Sequence, residues 1–342
     1  MHLSPELSGI ELHVHLDGSL RADTLWDLAK QRQIKLPHSN FEEFRRTFSP
    51  QNPYSLTKFL SGFQWVIPIL AGDKEALVRS AMEFVEDCRY RSGLCYVEAR
   101  FAPHLLTGFS MDAEAVIQAT LDGLQRASTE HVVQTRLILC IMRDRPETAD
   151  EVLQLARKYE PHGVVGIDIA GDESHWTPQD LAPELLKIFD MAKVYGVHRT
   201  VHAGEAGPAE AVHEAVFRLH AERVGHGYGV LKNPIIYEQV REAGVHFEVC
   251  PTSSIMTGAV KQNTTKKHPV HRFISDGTSF SLNTDDPLIT GRWLKDELAY
   301  CETELGLSTM AIEQSKRNAV KAAFIDSVED RELLLNHVLR KQ

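Results

Sequence analysis

The chain is poor in the features that mark several large protein classes. Its 342 residues hold only five cysteines, Cys88, Cys95, Cys140, Cys250 and Cys301, with no C-x-x-C spacing among them. An odd count without that spacing excludes a disulfide framework and a thiolate zinc site. Buried, reduced thiols are the expectation, and they fit a cytoplasmic setting. No apolar run approaches the roughly 18 residues of a membrane span. The opening Met1-His2-Leu3-Ser4-Pro5-Glu6 lacks a basic region followed by an apolar one, so no signal peptide is expected. Positive charge is also in short supply. Lys and Arg total 37 against 47 Asp and Glu, a formal charge of −10, and the densest basic run, Lys266-Lys267-His268, is only turn-sized. A nucleic acid or an anionic membrane would need a basic patch, so neither is an expected partner. Linkers, repeats and low-complexity stretches are missing too. With 43% hydrophobic and 25% charged residues, the composition is that of a globular protein, and residues 1–342 read as a single domain.

What the chain does have is a recurring unit: a short β-type run that ends in polar residues and is followed by a helical pattern. The runs are Ile10–His15, Leu94–Phe101, Arg136–Met142, Val164–Ile169, His198–His202, Arg223–His226, Val245–Cys250 and Ser279–Thr284. Alternating strands and helices imply parallel βαβ units, and eight of them predict an α/β fold of the (β/α)8, or TIM, barrel type. Asp73 to Arg91 carries Ala76, Leu77, Ala81, Phe84, Val85 and Cys88 on one helical face. Thr309 to Phe324 forms another such stripe with Ser308 as its N-cap, part of a set of extra C-terminal helices.

About 80 residues separate the first two strands, where one crossover helix needs roughly 20–30. This insertion places Leu56, Phe59, Leu60 and Phe63 at the spacing of an amphipathic helix. Since barrel sites form where the βα loops emerge, the insertion predicts a helical cap over the mouth. Cover for the barrel's flank is the alternative.

Five strand ends finish in groups that bind metals or move protons. His13-Val14-His15 closes the first; residues i and i+2 of a strand point the same way, so both imidazoles can reach one ion. His202-Ala203-Gly204-Glu205 closes the fifth, offering a third imidazole and a glutamate placed to work as acid or base. Gly225-His226-Gly227 ends the sixth and projects a ring into the mouth. Asn283-Thr284-Asp285-Asp286-Pro287 ends the eighth with adjacent carboxylates on different faces, one for a metal and one for substrate. Asp168-Ile169-Ala170-Gly171-Asp172-Glu173 ends the fourth, where the Gly171 amide can face a ligand. Each motif alone has an ordinary structural reading as a core histidine, a turn glycine or a helix-capping aspartate. Five together point to a mononuclear site of His13, His15, His202 and Asp285. Nitrogen and oxygen donors without thiolate favour Zn2+, with Fe2+, Co2+ or Mn2+ as alternatives. Such an ion lowers the pKa of bound water to about 7.

At this point the sequence resembles the adenosine deaminase family of the metal-dependent amidohydrolase superfamily. The likeness rests on Glu11–Ser19, Ile169–Glu173, Thr200–Glu205, Arg223–Tyr228, Cys250–Ser254 and Ser281–Pro287, in family order from about residue 10 to 290. It implies a TIM barrel that hydrolyses adenosine and 2′-deoxyadenosine to inosine and 2′-deoxyinosine plus ammonia, in purine salvage or catabolism, with one Zn2+ per chain. By the same resemblance His13, His15, His202 and Asp285 match the zinc ligands. Glu205 matches the residue that protonates purine N1, and His226 the group that positions the attacking oxygen. Asp286 and the Gly171 amide match partners of N7 and N3, Asp17 a contact to the ribose 5′-hydroxyl, and Leu56, Phe59 and Phe63 the apolar lid. Adenine deaminases typically carry Glu where this chain has Asp17 and Asn where it has Ser254, and N6-methyl-AMP deaminases carry Asn in place of Asp17. The implied partners are therefore a purine nucleoside and water, with no protein partner indicated.

Overall fold

A computed structural model describes residues 1–49, 55–108, 110–177, 181–261 and 267–340. Lys266 of the basic run lies outside the described residues. Eight strands form the centre: β1 (Gly9–His15), β2 (Leu94–Phe101), β3 (Gln134–Met142), β4 (Val164–Ala170), β5 (His198–Ala203), β6 (Arg223–His226), β7 (His246–Val249) and β8 (Phe280–Leu282). Each strand pairs in parallel with the next in chain order. A parallel bridge between Val14 and Asp285 brings the residues after β8 back to β1. All eight expected strands are present, with ends that differ from the expectation by one or two residues at most.

Between β1 and β2 run α1 (Ala22–Gln31), α2 (Phe41–Thr47), α3 (Leu56–Leu60), α4 (Phe63–Leu70) and α5 (Lys74–Asp87). Crossovers after β2 to β6 are α6 (Ala113–His131), α7 (Ala149–Tyr159), α8 (Pro183–Tyr195), α9 (Ala209–Phe217) and α10 (Pro234–Glu242). The short α11 (Pro251–Met256) and α12 (Val270–Ser275) follow β7. After β8 come α13 (Pro287–Thr290), α14 (Leu294–Thr303), α15 (Thr309–Ala322) and α16 (Val328–Val338).

Local chemistry sets the helix limits. The Asp73 carboxylate caps α5 by accepting the Ala76 N–H at 3.0 Å, and Ser308 Oγ caps α15 by accepting the Ala311 N–H at 3.2 Å. The apolar stripe expected in the cap is split into two helices. At Ser61 the amide and the hydroxyl both bond back to the Lys58 carbonyl, at 3.2 and 2.6 Å. These i→i+3 contacts tighten the turn and interrupt the α-helical ladder.

The barrel's interior is unusual for its class, which is normally filled by branched apolar residues. Arg100, Arg223, Glu98, Asp168 and Glu248 are all buried inside it. Arg223 donates to Glu98 Oε2 at 2.6 Å and lies 2.7 Å from Glu248 Oε1 through Nε, with its guanidinium over the Phe324 ring. The five cysteines are all buried and unpaired. Among the described residues no helix is long and apolar enough to cross a membrane.

Candidate active site

A cavity of about 580 Å³ opens at the C-terminal ends of the strands. His15, Asp17, Gly171, His202, Glu205, His226, Asp285 and Asp286 line it from the barrel side, and Leu56, Phe59 and Phe63 from the cap. The insertion therefore covers the mouth, as its length suggested. Of the residues singled out in the sequence only His13 does not line the cavity; it lies fully buried within the barrel.

His13, His202, His226 and Asp285 bring their ligand atoms within 4.8 Å of one another. His15 joins this group: its Nε2 is 3.1 Å from His202 Nε2 and 3.4 Å from Asp285 Oδ1. His13 Nε2 is 3.1 Å from the same carboxylate oxygen. Five groups from β1, β5, β6 and the end of β8 thus converge, one more than the four-ligand set read from the sequence. His226 Nε2 lies 4.0 Å from Asp285 Oδ2.

Two of these groups sit on backbone that non-glycine residues rarely adopt, with φ of 70° at Asp285 and 64° at His226. Such conformations gather at functional sites.

The donor set suits a cation. His13 Nδ1 faces Glu248 Oε2 at 2.7 Å and His202 Nδ1 faces Asp168 Oδ2 at 2.9 Å. A carboxylate on Nδ1 puts the ring proton there and leaves the Nε2 lone pair free for a metal. Burial drives His15 and His226 well below the usual histidine range, so both are neutral. Burial opposes charge at Asp285 as well, but the imidazoles around it, His226 and His13 foremost, outweigh this and hold its carboxyl well below its usual range. Ser253 Oγ donates to its Oδ2 at 2.6 Å. Imidazole nitrogens gathered round one carboxylate oxygen are the ligands a divalent transition ion takes.

The other carboxyls differ. Burial, with the negative charges of Asp285 and Glu173, raises Glu205 well above its ordinary value. Burial and the neighbouring acids Asp285 and Asp17 do the same to Asp286, and burial lifts Asp17 to about 7. Glu205 Oε1, Asp17 Oδ1 and Asp286 Oδ1 are buried without hydrogen-bond partners among the described residues. Buried polar atoms of that kind call for a ligand. The cavity floor therefore pairs a carboxyl held toward its ionised form at Asp285 with carboxyls pushed toward their neutral form at Glu205 and Asp286, the separation of roles that acid–base chemistry needs.

Sequence reading did not single out Arg100, Asp168 or Glu248 as functional. Arg100 donates to Asp168 Oδ2 at 2.9 Å and to Glu248 Oε2 at 2.8 Å, so one cation joins the carboxylates that orient His13 and His202. A charged residue inside an otherwise apolar run, such as Glu248 between Phe247 and Val249, was the available signal.

The family model for adenosine deaminase matches residues 9–340. An adenosine deaminase from Xenopus tropicalis is 41% identical over 337 residues, covering 95% of this chain and 93% of that protein. One from Mus musculus is 39% identical over 337 residues, covering 95% of each. Among solved structures, an adenine deaminase from Arthrobacter aurescens superposes with a TM-score of 0.86 at 24% identity, covering 98% of each chain. That last likeness shows the fold.

Proposed function

The chain belongs to the adenosine deaminase family, and we propose from this that it replaces the 6-amino group of adenosine and 2′-deoxyadenosine by oxygen, yielding inosine or 2′-deoxyinosine and ammonia. The carrying observation is the buried Glu205 carboxyl, 3.6 Å from His226 Nε2 beside the cluster of imidazoles and Asp285, in surroundings that favour its protonated form. The reaction needs a proton donor and a proton acceptor close together at one carbon, and this pair supplies both.

We assign His13, His15, His202 and Asp285 as ligands of one Zn2+ per chain. When bound, the ion supplies a nucleophilic oxygen at neutral pH by acidifying water. His226, neutral in its buried position, accepts the proton of the attacking water and holds its oxygen toward C6. Glu205 gives its proton to N1 as the C6–O bond forms, which keeps charge from building on the ring. The C6–N bond then breaks as the amino group takes the proton held by His226 and leaves as ammonia, while the C6 hydroxyl returns its proton to Glu205. Asp286, kept protonated, donates to the N7 lone pair. The Gly171 N–H faces N3, and Asp17 takes the 5′-hydroxyl. Leu56, Phe59 and Phe63 close over the base and exclude bulk water. Residues 1–342 then act as one catalytic domain on a small nucleoside in the cytoplasm, without nucleic acid or membrane.

The test is an ultraviolet assay of the metal-analysed protein against adenosine, 2′-deoxyadenosine, adenine, AMP and N6-methyl-AMP. Turnover of adenosine and 2′-deoxyadenosine, abolished by chelation, is the expected result. Turnover of adenine or a nucleotide in their place would overturn the assignment of Asp17.

A further inference from the structure

Glu173 lies two residues beyond Gly171 in the loop after β4 and is 3% exposed. It is absent from the metal-binding cluster and from the cavity lining. Its carboxylate is instead spent on backbone. Oε1 accepts the Gly204 N–H at 2.8 Å, and Oε2 accepts the N–H groups of Glu205 and Gly207 at 3.0 Å each. Three donors from one four-residue stretch converge on a single buried charge, and such charge-assisted bonds are the strong ones.

That stretch carries the acid. It leaves β5 at Ala203 and does not enter α9 until Ala209, so no ladder holds Glu205 in place. The local fit is close: a Cβ on Gly207 would lie 2.6 Å from Glu173 Cδ, and Gly204 takes a φ of +70°. A side chain at residue 207 would push the carboxylate away from all three amides.

We propose that Glu173 is a positioning residue for Glu205, acting through these three backbone bonds to aim the acid's carboxyl at the substrate ring. The role rests on Glu205 being the proton donor. Glu173 touches neither substrate nor metal, so its loss displaces the acid and leaves the remaining contacts to nucleoside and ion in place. A Gln at 173 turns an amide N–H toward backbone N–H groups, and an Asp is one methylene too short to reach all three.

The test compares E173Q, E173D, E205Q and the double variant E173Q/E205Q as metal-loaded enzymes, reading kcat and KM for adenosine, bound metal and thermal midpoint. E173Q should lose at least about tenfold in kcat with KM within about threefold and full metal content, and E173D should lose less. Added to E205Q, E173Q should cost less than about threefold more, because two residues acting as one unit are not additive. Wild-type kcat in E173Q or E173D overturns the proposal, as does a full multiplicative loss on top of E205Q. If E173Q fails to fold, E173D carries the same test. An E205Q enzyme with normal turnover would instead remove the reading of Glu205 as the acid, a separate failure.

Discussion

The His15 N–H donates to the Asp285 carbonyl at 2.8 Å, while the side chains of the same two residues meet at 3.4 Å, Nε2 to Oδ1. The return bond runs from the Asp285 N–H to the His13 carbonyl at 3.1 Å. Residues that join the ends of the sheet therefore also carry the groups at its mouth. Glu11 braces the same junction, accepting the Thr284 N–H and hydroxyl at 2.7 and 2.6 Å. Closure of the barrel and assembly of the site are one structural event.

Because Asp285 is the carboxylate among the clustered imidazoles, Asp285→Ala should lose the metal. Expected metal content falls below about a tenth of an equivalent after dialysis, with turnover lost in parallel, since ligand removal takes away both charge and geometry. Elemental analysis of the dialysed protein checks it. A fully loaded D285A protein would move Asp285 out of the coordination set.

Glu205→Gln keeps the shape of the acid and removes its proton. Turnover should fall by about 10²–10⁴-fold, the usual worth of a positioned proton donor. Metal content and inosine affinity should stay close to wild type. Kinetics and equilibrium titration of one preparation separate the two effects.

Arg100 bridges Asp168 and Glu248, and Arg223 pairs with the other oxygen of Glu248. Arg100→Met leaves two buried carboxylates without their shared partner. Removing one member of a buried ionic group costs about 3–5 kcal/mol. Loosening the carboxylates behind metal-binding histidines typically costs 10–100-fold in affinity. R100M should therefore unfold at lower urea and surrender its metal to a chelator at lower concentration. Wild-type behaviour on both counts would mean that the carboxylates hold the histidines without Arg100.

The strand ends were legible in the sequence because chemistry and secondary structure coincide there: His13, His15, His202, His226 and Asp285 all fall where a β-type run gives way to a turn. The cap was legible as surplus length, although Ser61 divides its helix by local hydrogen bonding that apolar spacing does not reveal. Arg100, Asp168 and Glu248 were not legible as a group. They come from β2, β4 and β7, strands that are not neighbours, and only the barrel's closed registers bring them to one point. Glu173 was hidden for a related reason: its partners are backbone amides, which leave no trace in residue types.

His246 gives the fold a pH dependence of its own. Its ring is buried, with Nδ1 2.9 Å from Ser279 Oγ and Nε2 2.9 Å from Ser281 Oγ. Burial, with the Arg223 charge, lowers its pKa to about 3. In the unfolded chain the same residue titrates near 6.5. Between these values the unfolded state binds a proton that the folded state refuses. The contribution to stability is present above pH 6.5 and is lost as pH falls toward 3. At pH 5.5 the loss from this one group is about 1.4 kcal/mol. His246→Asn, which cannot titrate, should be less stable than wild type at pH 7.5 by about 1–2 kcal/mol because the serine contacts are weakened. Its further decline from pH 7.5 to 5.5 should be shallower than wild type by about 1.4 kcal/mol. Urea unfolding of both proteins at the two pH values measures this difference, and other titrating groups cancel in the comparison. Equal declines would mean that His246 titrates in the fold as it does in the unfolded chain.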